Sequence, residues 1–202
     1  MNKKILITYD TESGSTREVA EIIGEEMDKL KAESDVRNIV DVDNISEYDT
    51  IIIGSPNWYG KPTPKIKKFL KKHNQELMQK PFAFFFTCMC LTKIEGENSP
   101  DLSVFQDPQF NIIPKLKNEM NMWEKSHAGS FYIKQLSKII PDVKPVSVAV
   151  FKGGLDFSRL SFFHKIVMKL ITLMIKEVQS GEYLNPDAVR EWTEKLCVDL
   201  LK

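Results

Sequence analysis

Four short apolar runs constrain this chain more than any other feature. Residues 3 to 9, Ile51-Ile52-Ile53, residues 82 to 88 and residues 146 to 151 are too short for helices. They are apolar at consecutive positions rather than alternate ones, as strands buried on both faces are. Between them lie stretches with a different period. Over residues 16 to about 31, Val19, Ile22, Ile23, Met27 and Leu30 recur near every 3.6 residues, which predicts a helix. Residues 64 to 72 predict another, with Pro64 in its first turn. Residues 186 to about 201 predict a terminal helix, with Asn185 as its N-cap and Pro186 at its first position. Residues 36 to 40 supply the remaining strand, second in chain order.

Five strands alternating with helices predict an α/β fold. The form expected is a doubly wound, five-stranded parallel sheet in the order 2-1-3-4-5. Ligands of such sheets sit beyond the carboxyl ends of the strands, where strand order reverses, here between strands 1 and 3. The chain reads as one domain, residues 1–202, with two additions. Residues 91–145 form a long insert between strands 4 and 5, with helices expected near 114–125 and 130–140, the second ending before Pro141. Residues 158–178 form an extra amphipathic helix, with Ser161, Lys165, Lys169, Thr172 and Lys176 on one side and apolar residues over the rest. A helix this apolar is buried in the core, paired with a second copy or another protein, laid into a membrane interface, or used to receive a quinone.

The turn after the first strand, Tyr9-Asp10-Thr11-Glu12-Ser13-Gly14-Ser15-Thr16, carries two acids, four hydroxyls and no base. It opens a helix, and helix N-termini offer unpaired backbone N–H groups and a partial positive charge. Small residues let those groups close on a phosphate, and Thr11, Ser13, Ser15 and Thr16 add hydroxyls. Gly14 permits close approach or a left-handed backbone. Asp10 and Glu12 then point away from the anion, toward backbone amides or water. The chain has no G-x-x-x-x-G-K-[ST] and no G-x-G-x-x-G after its first strand, which disfavours nucleoside triphosphate and dinucleotide sites.

The segment after strand 3, I-I-I-G-S-P-N-W-Y-G, brings Ser55, Pro56, Asn57, Trp58, Tyr59 and Gly60 to the same crevice. Its two aromatic faces and its amides suit a flat heteroaromatic ring with one polar edge. A third loop, beginning at Thr87, Cys88 and Met89, would meet that edge with its amides. Cys88 and Cys90 read as reduced, half-buried thiols. A lone C-x-C has no partner pair for a metal, and none is expected. His73, His127 and His164 are scattered and read as surface or packing residues.

Y-D-T-x-x-G-S-T resembles the FMN-phosphate loop of the flavodoxin-like proteins, especially as it occurs in flavodiiron proteins and in the bacterial menaquinone-dependent protoporphyrinogen oxidases. Asp10 stands where simple flavodoxins carry a hydroxyl. Residues 146 to 176, with V-F-K-G-G-L followed by the aromatic-rich R-L-S-F-F-H-K, are similar to the end of the protoporphyrinogen oxidase family. The resemblance covers most of the chain outside residues 91–145. It implies a flavodoxin-like fold, FMN as cofactor, and an oxidoreductase in which the flavin itself carries the chemistry. Electrons would pass from a reduced organic substrate such as protoporphyrinogen IX to a quinone. The alternative is a flavodoxin-type carrier that exchanges electrons with a redox protein and has no substrate of its own.

Charge bears on that choice. The formal net charge is zero. This argues against a polyanion-binding molecule and against the strongly acidic surface of typical flavodoxins. Lys61, Lys65, Lys67, Lys68, Lys71 and Lys72 form a cationic rim after the second loop, suited to carboxylated substrates or an anionic membrane surface. No nucleic-acid module accompanies these residues. No signal peptide or spanning segment is evident, so the expected location is the cytoplasm, with peripheral membrane contact through residues 158–178 as an option.

Overall fold

The computed structural model describes residues 3–57, 60–95, 104–110, 112–154, 165 and 183–200. Strands β1 (Lys4–Tyr9), β2 (Glu33–Asn38), β3 (Thr50–Pro56), β4 (Phe82–Cys88), β5 (Val104–Gln106) and β6 (Ser147–Lys152) form one parallel sheet, in the order β2-β1-β3-β4-β6-β5. Helix α1 (Ser15–Lys29) follows β1, and α2 (Pro64–Lys72) and the short α3 (Asn74–Leu77) follow β3. The insert carries α4 (Met122–Ser126) and α5 (Gly129–Ile139), and α6 (Pro186–Leu200) follows β6.

Alternate side chains on the central strands sort into two cores. Leu6, Ile51, Ile53, Phe84, Phe86, Val148 and Val150 pack with Ile66, Phe69 and Leu70 of α2 and with Tyr132 and Leu136 of α5. Ile5, Ile7, Ile52, Phe85, Ala149 and Phe151 pack with Val19, Ile23 and Met27 of α1 and with Val189, Trp192 and Leu196 of α6. The sheet is therefore covered on both faces, which is why its strands read as unbroken apolar runs.

Among the described residues the sheet has six strands, not five. The extra strand, β5, comes from within the insert and pairs in parallel with β6 at the sheet edge, Val104 opposite Val148 and Gln106 opposite Val150. Three residues are too few to show a period, so the sequence reading passed over it. A clasp of long-range bonds holds it instead. The buried carboxylate of Asp107 accepts the Lys152 N–H at 3.1 Å, the Gln109 N–H at 2.9 Å and the Asn185 side-chain amide at 2.9 Å. Asn185 Oδ1 in turn accepts the Ala188 N–H at 3.4 Å, capping α6 as its position before Pro186 predicts.

Two further expectations shift. The second strand lies at Glu33–Asn38 rather than 36–40. The Asn38 side chain accepts the Val40 N–H at 3.2 Å and turns Ile39–Asp41 into a 3-10 turn. In the insert, the helix expected over 114–125 is confined to Met122–Ser126. A reciprocal capping box between Asn121 and Glu124 starts it there, while Lys115 is drawn into a parallel bridge with Ile94. Helix α5 falls close to the expected 130–140. The helix expected over 158–178 lies outside the described residues. No helix among the described residues is long and apolar enough to cross a membrane.

Candidate functional site

The register brings the carboxyl ends of β1, β3, β4 and β6 to one edge. Tyr9 lies opposite Gly54, Pro56 opposite Thr87, and Cys88 opposite Lys152. All the loops singled out in the sequence leave the sheet there, with strand order reversing between β1 and β3.

The first loop leaves backbone amides uncapped at a helix N-terminus. Gly14 is the N-cap residue of α1, in a left-handed conformation with φ 101° and ψ −25°, and no side chain caps the helix. The first-turn N–H groups of Ser15, Thr16 and Arg17 have no intrahelical acceptor, as in any helix. The Gly14 N–H is held by Thr11 Oγ1 at 3.0 Å, which leaves the Thr11 hydroxyl proton free to donate outward. Ser13 Oγ donates to the Gly154 carbonyl at 3.1 Å, and Thr16 Oγ1 shares a 2.8 Å bond with Thr87 Oγ1. Part of the hydroxyl set thus shapes the loop. Uncapped amides, a left-handed glycine and small neutral side chains fit a phosphate monoester.

Asp10 does not turn toward amides or water as its sequence context suggests. Its carboxylate is buried and receives Lys65 Nζ at 3.1 Å, while its own N–H donates to the Gly54 carbonyl. Lys65 therefore neutralises the nearest acid, and the backbone amides remain the positive end of the cradle. Removing Lys65 would leave a carboxylate 5% exposed beside an anion site. Breaking one half of such a pair is costly, though Lys65 is half exposed and solvent screens part of the loss. Lys65→Met is expected to weaken binding of a phosphate-bearing ligand about tenfold, or about 1.4 kcal/mol. The double variant with Asp10→Asn should recover most of it, as read by equilibrium titration.

The second loop is closed on itself. Ser55 Oγ accepts the Thr63 N–H at 3.2 Å and donates to the Pro56 carbonyl at 2.9 Å. Thr63 then caps α2 by accepting the Ile66 N–H. Pro56 ends β3 and offers no N–H. The Asn57 N–H donates to the Thr87 carbonyl at 2.8 Å, and Asn57 Oδ1 accepts the Gly60 N–H at 2.7 Å. Trp58 and Tyr59 lie outside the described residues. On the third loop, Cys88 is buried and Met89 half-buried, and burial pushes the Cys88 thiol well above its usual range, as a packed and unreactive thiol. Cys88, Cys90 and Cys197 form no disulfide.

Several residues at this edge were not marked from the sequence. Lys65 was assigned only to a surface rim. Gly153 and Gly154 join the first and third loops, with the Gly153 N–H donating to the Cys88 carbonyl at 2.9 Å. Their signal, a glycine pair directly after a strand, was legible but unassigned. Phe131 and Tyr132 reach the second loop from α5, and nothing local announces that. Of the histidines, His73 packs on Phe69 and bonds Glu76 at 2.7 Å, and His127 stacks on Trp123. Burial holds His127 below the usual histidine range. His164 lies outside the described residues. No group of three or more metal-binding side chains occurs among the described residues.

The comparisons with known proteins agree with the fold. Residues 6–180 match the family described as the flavodoxin domain. The protoporphyrinogen IX dehydrogenase [quinone] of Escherichia coli K12 is 27% identical over 173 residues, covering 85% of this chain and 80% of that protein. A protein of the same name from Leishmania major is 23% identical over 171 residues, covering 83% of this chain and 62% of its own length. Among solved structures, an archaeal flavodoxin superposes with a TM-score of 0.52 at 14% identity, covering 98% of this chain and 99% of its own, which supports the fold. The chain belongs to the flavodoxin domain family and is a flavoprotein whose cofactor is FMN.

Proposed function

We propose that this protein is an FMN-dependent oxidoreductase of the quinone-linked dehydrogenase type, acting on a reduced organic substrate of the porphyrinogen class. The observation that carries this reading is the relationship, along 85% of the chain, to a protein named protoporphyrinogen IX dehydrogenase [quinone]. Bound FMN supplies the means of taking electrons from one partner and giving them to another. The chain does the rest. The first-turn amides of α1, with the hydroxyls of Thr11 and Ser15, would hold the phosphate, while the Ser13 and Thr16 hydroxyls shape the loop. Trp58 or Tyr59 would stack on the ring, and the third loop, from Thr87 to Met89, would supply amides along its polar edge, since the second loop has no N–H at Pro56 and spends those of Asn57 and Gly60 on its own closure. Lys61, Lys68 and Lys71 are exposed beside the second loop, and their charge favours the approach of a substrate bearing carboxylates.

The test is turnover by the purified FMN-loaded protein. Under anaerobic conditions, protoporphyrinogen IX plus a menaquinone analogue should give fluorescent protoporphyrin at a rate proportional to enzyme and dependent on the quinone. Absence of quinone-dependent turnover would sink the proposal. Rapid electron exchange with a ferredoxin-type partner, without turnover, would select the carrier function in its place.

A further inference from the structure

The insert is built into the flavin edge of the sheet. Tyr132 of α5 is fully buried, its ring 5.1 Å from that of Phe86. Its hydroxyl accepts the Asn57 side-chain amide at 2.8 Å. Burial pushes the Tyr132 hydroxyl well above its usual range, so it stays a neutral hydroxyl. Asn57, with Tyr132 on its amide group, spends its main-chain N–H on the Thr87 carbonyl and its side-chain oxygen on the Gly60 N–H. The main-chain N–H, the side-chain oxygen and one side-chain N–H of Asn57 are thus committed to neighbouring chain. Gly60, at φ 78°, lies directly against α4 and α5. A Cβ there would come within 2.7 Å of the Phe131 ring and 3.0 Å of the Ser126 carbonyl.

We propose that Tyr132 is a positioning residue which, through Asn57, clamps the second loop to the third and sets how tightly the ring end of the flavin is held. This rests on the FMN site described above. It assigns to the insert a role in cofactor geometry, and it makes Asn57 a member of the clamp that acts on the flavin through the loop.

The hydroxyl can be removed without changing shape. Tyr132→Phe strands an N–H of the half-buried Asn57 amide, and the lost hydrogen bond costs enough to lower a coupled affinity about tenfold. The phenyl ring that remains would keep the packing on Phe86. FMN titration of the apo-protein should show that tenfold rise in Kd. Riboflavin, which lacks the phosphate, should weaken by the same factor, because the α1 cradle is untouched. The visible circular dichroism of bound FMN should change as well, which a general loss of stability would not produce. Asn57→Ala breaks the same bond from the other side and also removes the acceptor of the Gly60 N–H, so it should weaken both ligands at least tenfold. The double variant should be no worse than Asn57→Ala alone. Equal Kd values for Tyr132→Phe and the unaltered protein would overturn the proposal, as would a loss confined to FMN, or single effects that multiply to about a hundredfold. Should the Tyr132→Phe protein fail to fold, Asn57→Ala is held to the same outcomes. An unaltered protein that takes up no FMN overturns the cofactor reading itself and the clamp with it, a result distinct from intact binding that Tyr132→Phe leaves unchanged.

Discussion

The Gly14→Val protein is expected to bind FMN about a hundredfold more weakly than the unaltered chain while keeping its fold. Gly14 adopts φ 101° at the start of α1. An L-residue in the left-handed region costs roughly 1–2 kcal/mol, and a β-branched one is a genuine outlier there. The chain can relieve that strain by rotating the peptide before residue 14. Doing so withdraws the N–H that Thr11 Oγ1 receives and turns the cradle away from its ligand. Each lost bond to a charged group is worth about 1.5–3 kcal/mol. Two such bonds lost are enough to reach the roughly 2.8 kcal/mol that a hundredfold represents. Riboflavin provides the control. Lacking the phosphate, it should bind both proteins with nearly the same affinity, the reverse of the pattern expected for Tyr132→Phe. An unchanged FMN dissociation constant, or an equal loss for riboflavin, would show that the phosphate is not held at Gly14.

Trp192→Ala should produce the largest loss of stability. Trp192 is 2% exposed on α6 and fits edge-on between Phe151, at 5.6 Å, and Phe85, at 6.4 Å. Its Nε1–H donates to Ser147 Oγ at 3.0 Å. Truncating a buried tryptophan costs about 3–5 kcal/mol, from lost transfer energy and the cavity left behind. For a chain of this length each kcal/mol lowers the melting midpoint by roughly 2–4 °C. The expected drop is therefore on the order of 10 °C by thermal unfolding monitored in the far ultraviolet. Trp192→Phe keeps most of the burial but leaves the Ser147 hydroxyl without its donor, and should cost less than half as much. A midpoint for Trp192→Ala within two degrees or so of the unaltered protein would mean that α6 does not close this face of the sheet.

The elements were legible where burial imposes a period. The strands β1, β3, β4 and β6 are covered on both faces, so their apolar runs stand out from the helices between them. Helix α6 announced itself through Asn185 and Pro186, because capping is a matter of adjacent residues. The uncapped turn before α1 was legible for the same reason: its amides belong to one short stretch, and only small residues let them converge. Strand β5 was not, since its three residues are held by Asp107, Lys152 and Asn185 rather than by any pattern of their own.

By itself, the sequence determined the α/β layering, the switch point and the backbone chemistry of the first loop, because each depends on neighbours within a turn or two. Only the tertiary structure decided which side chains complete that edge. Lys65 reaches Asp10 across 55 residues, Asn57 reaches Tyr132 across 75, and Ser13 reaches Gly154 across 141. Such pairings follow from how strands are ordered in the sheet and where the insert lands on it. A hydrogen bond is specified by the position of both partners, and local periodicity places only one at a time.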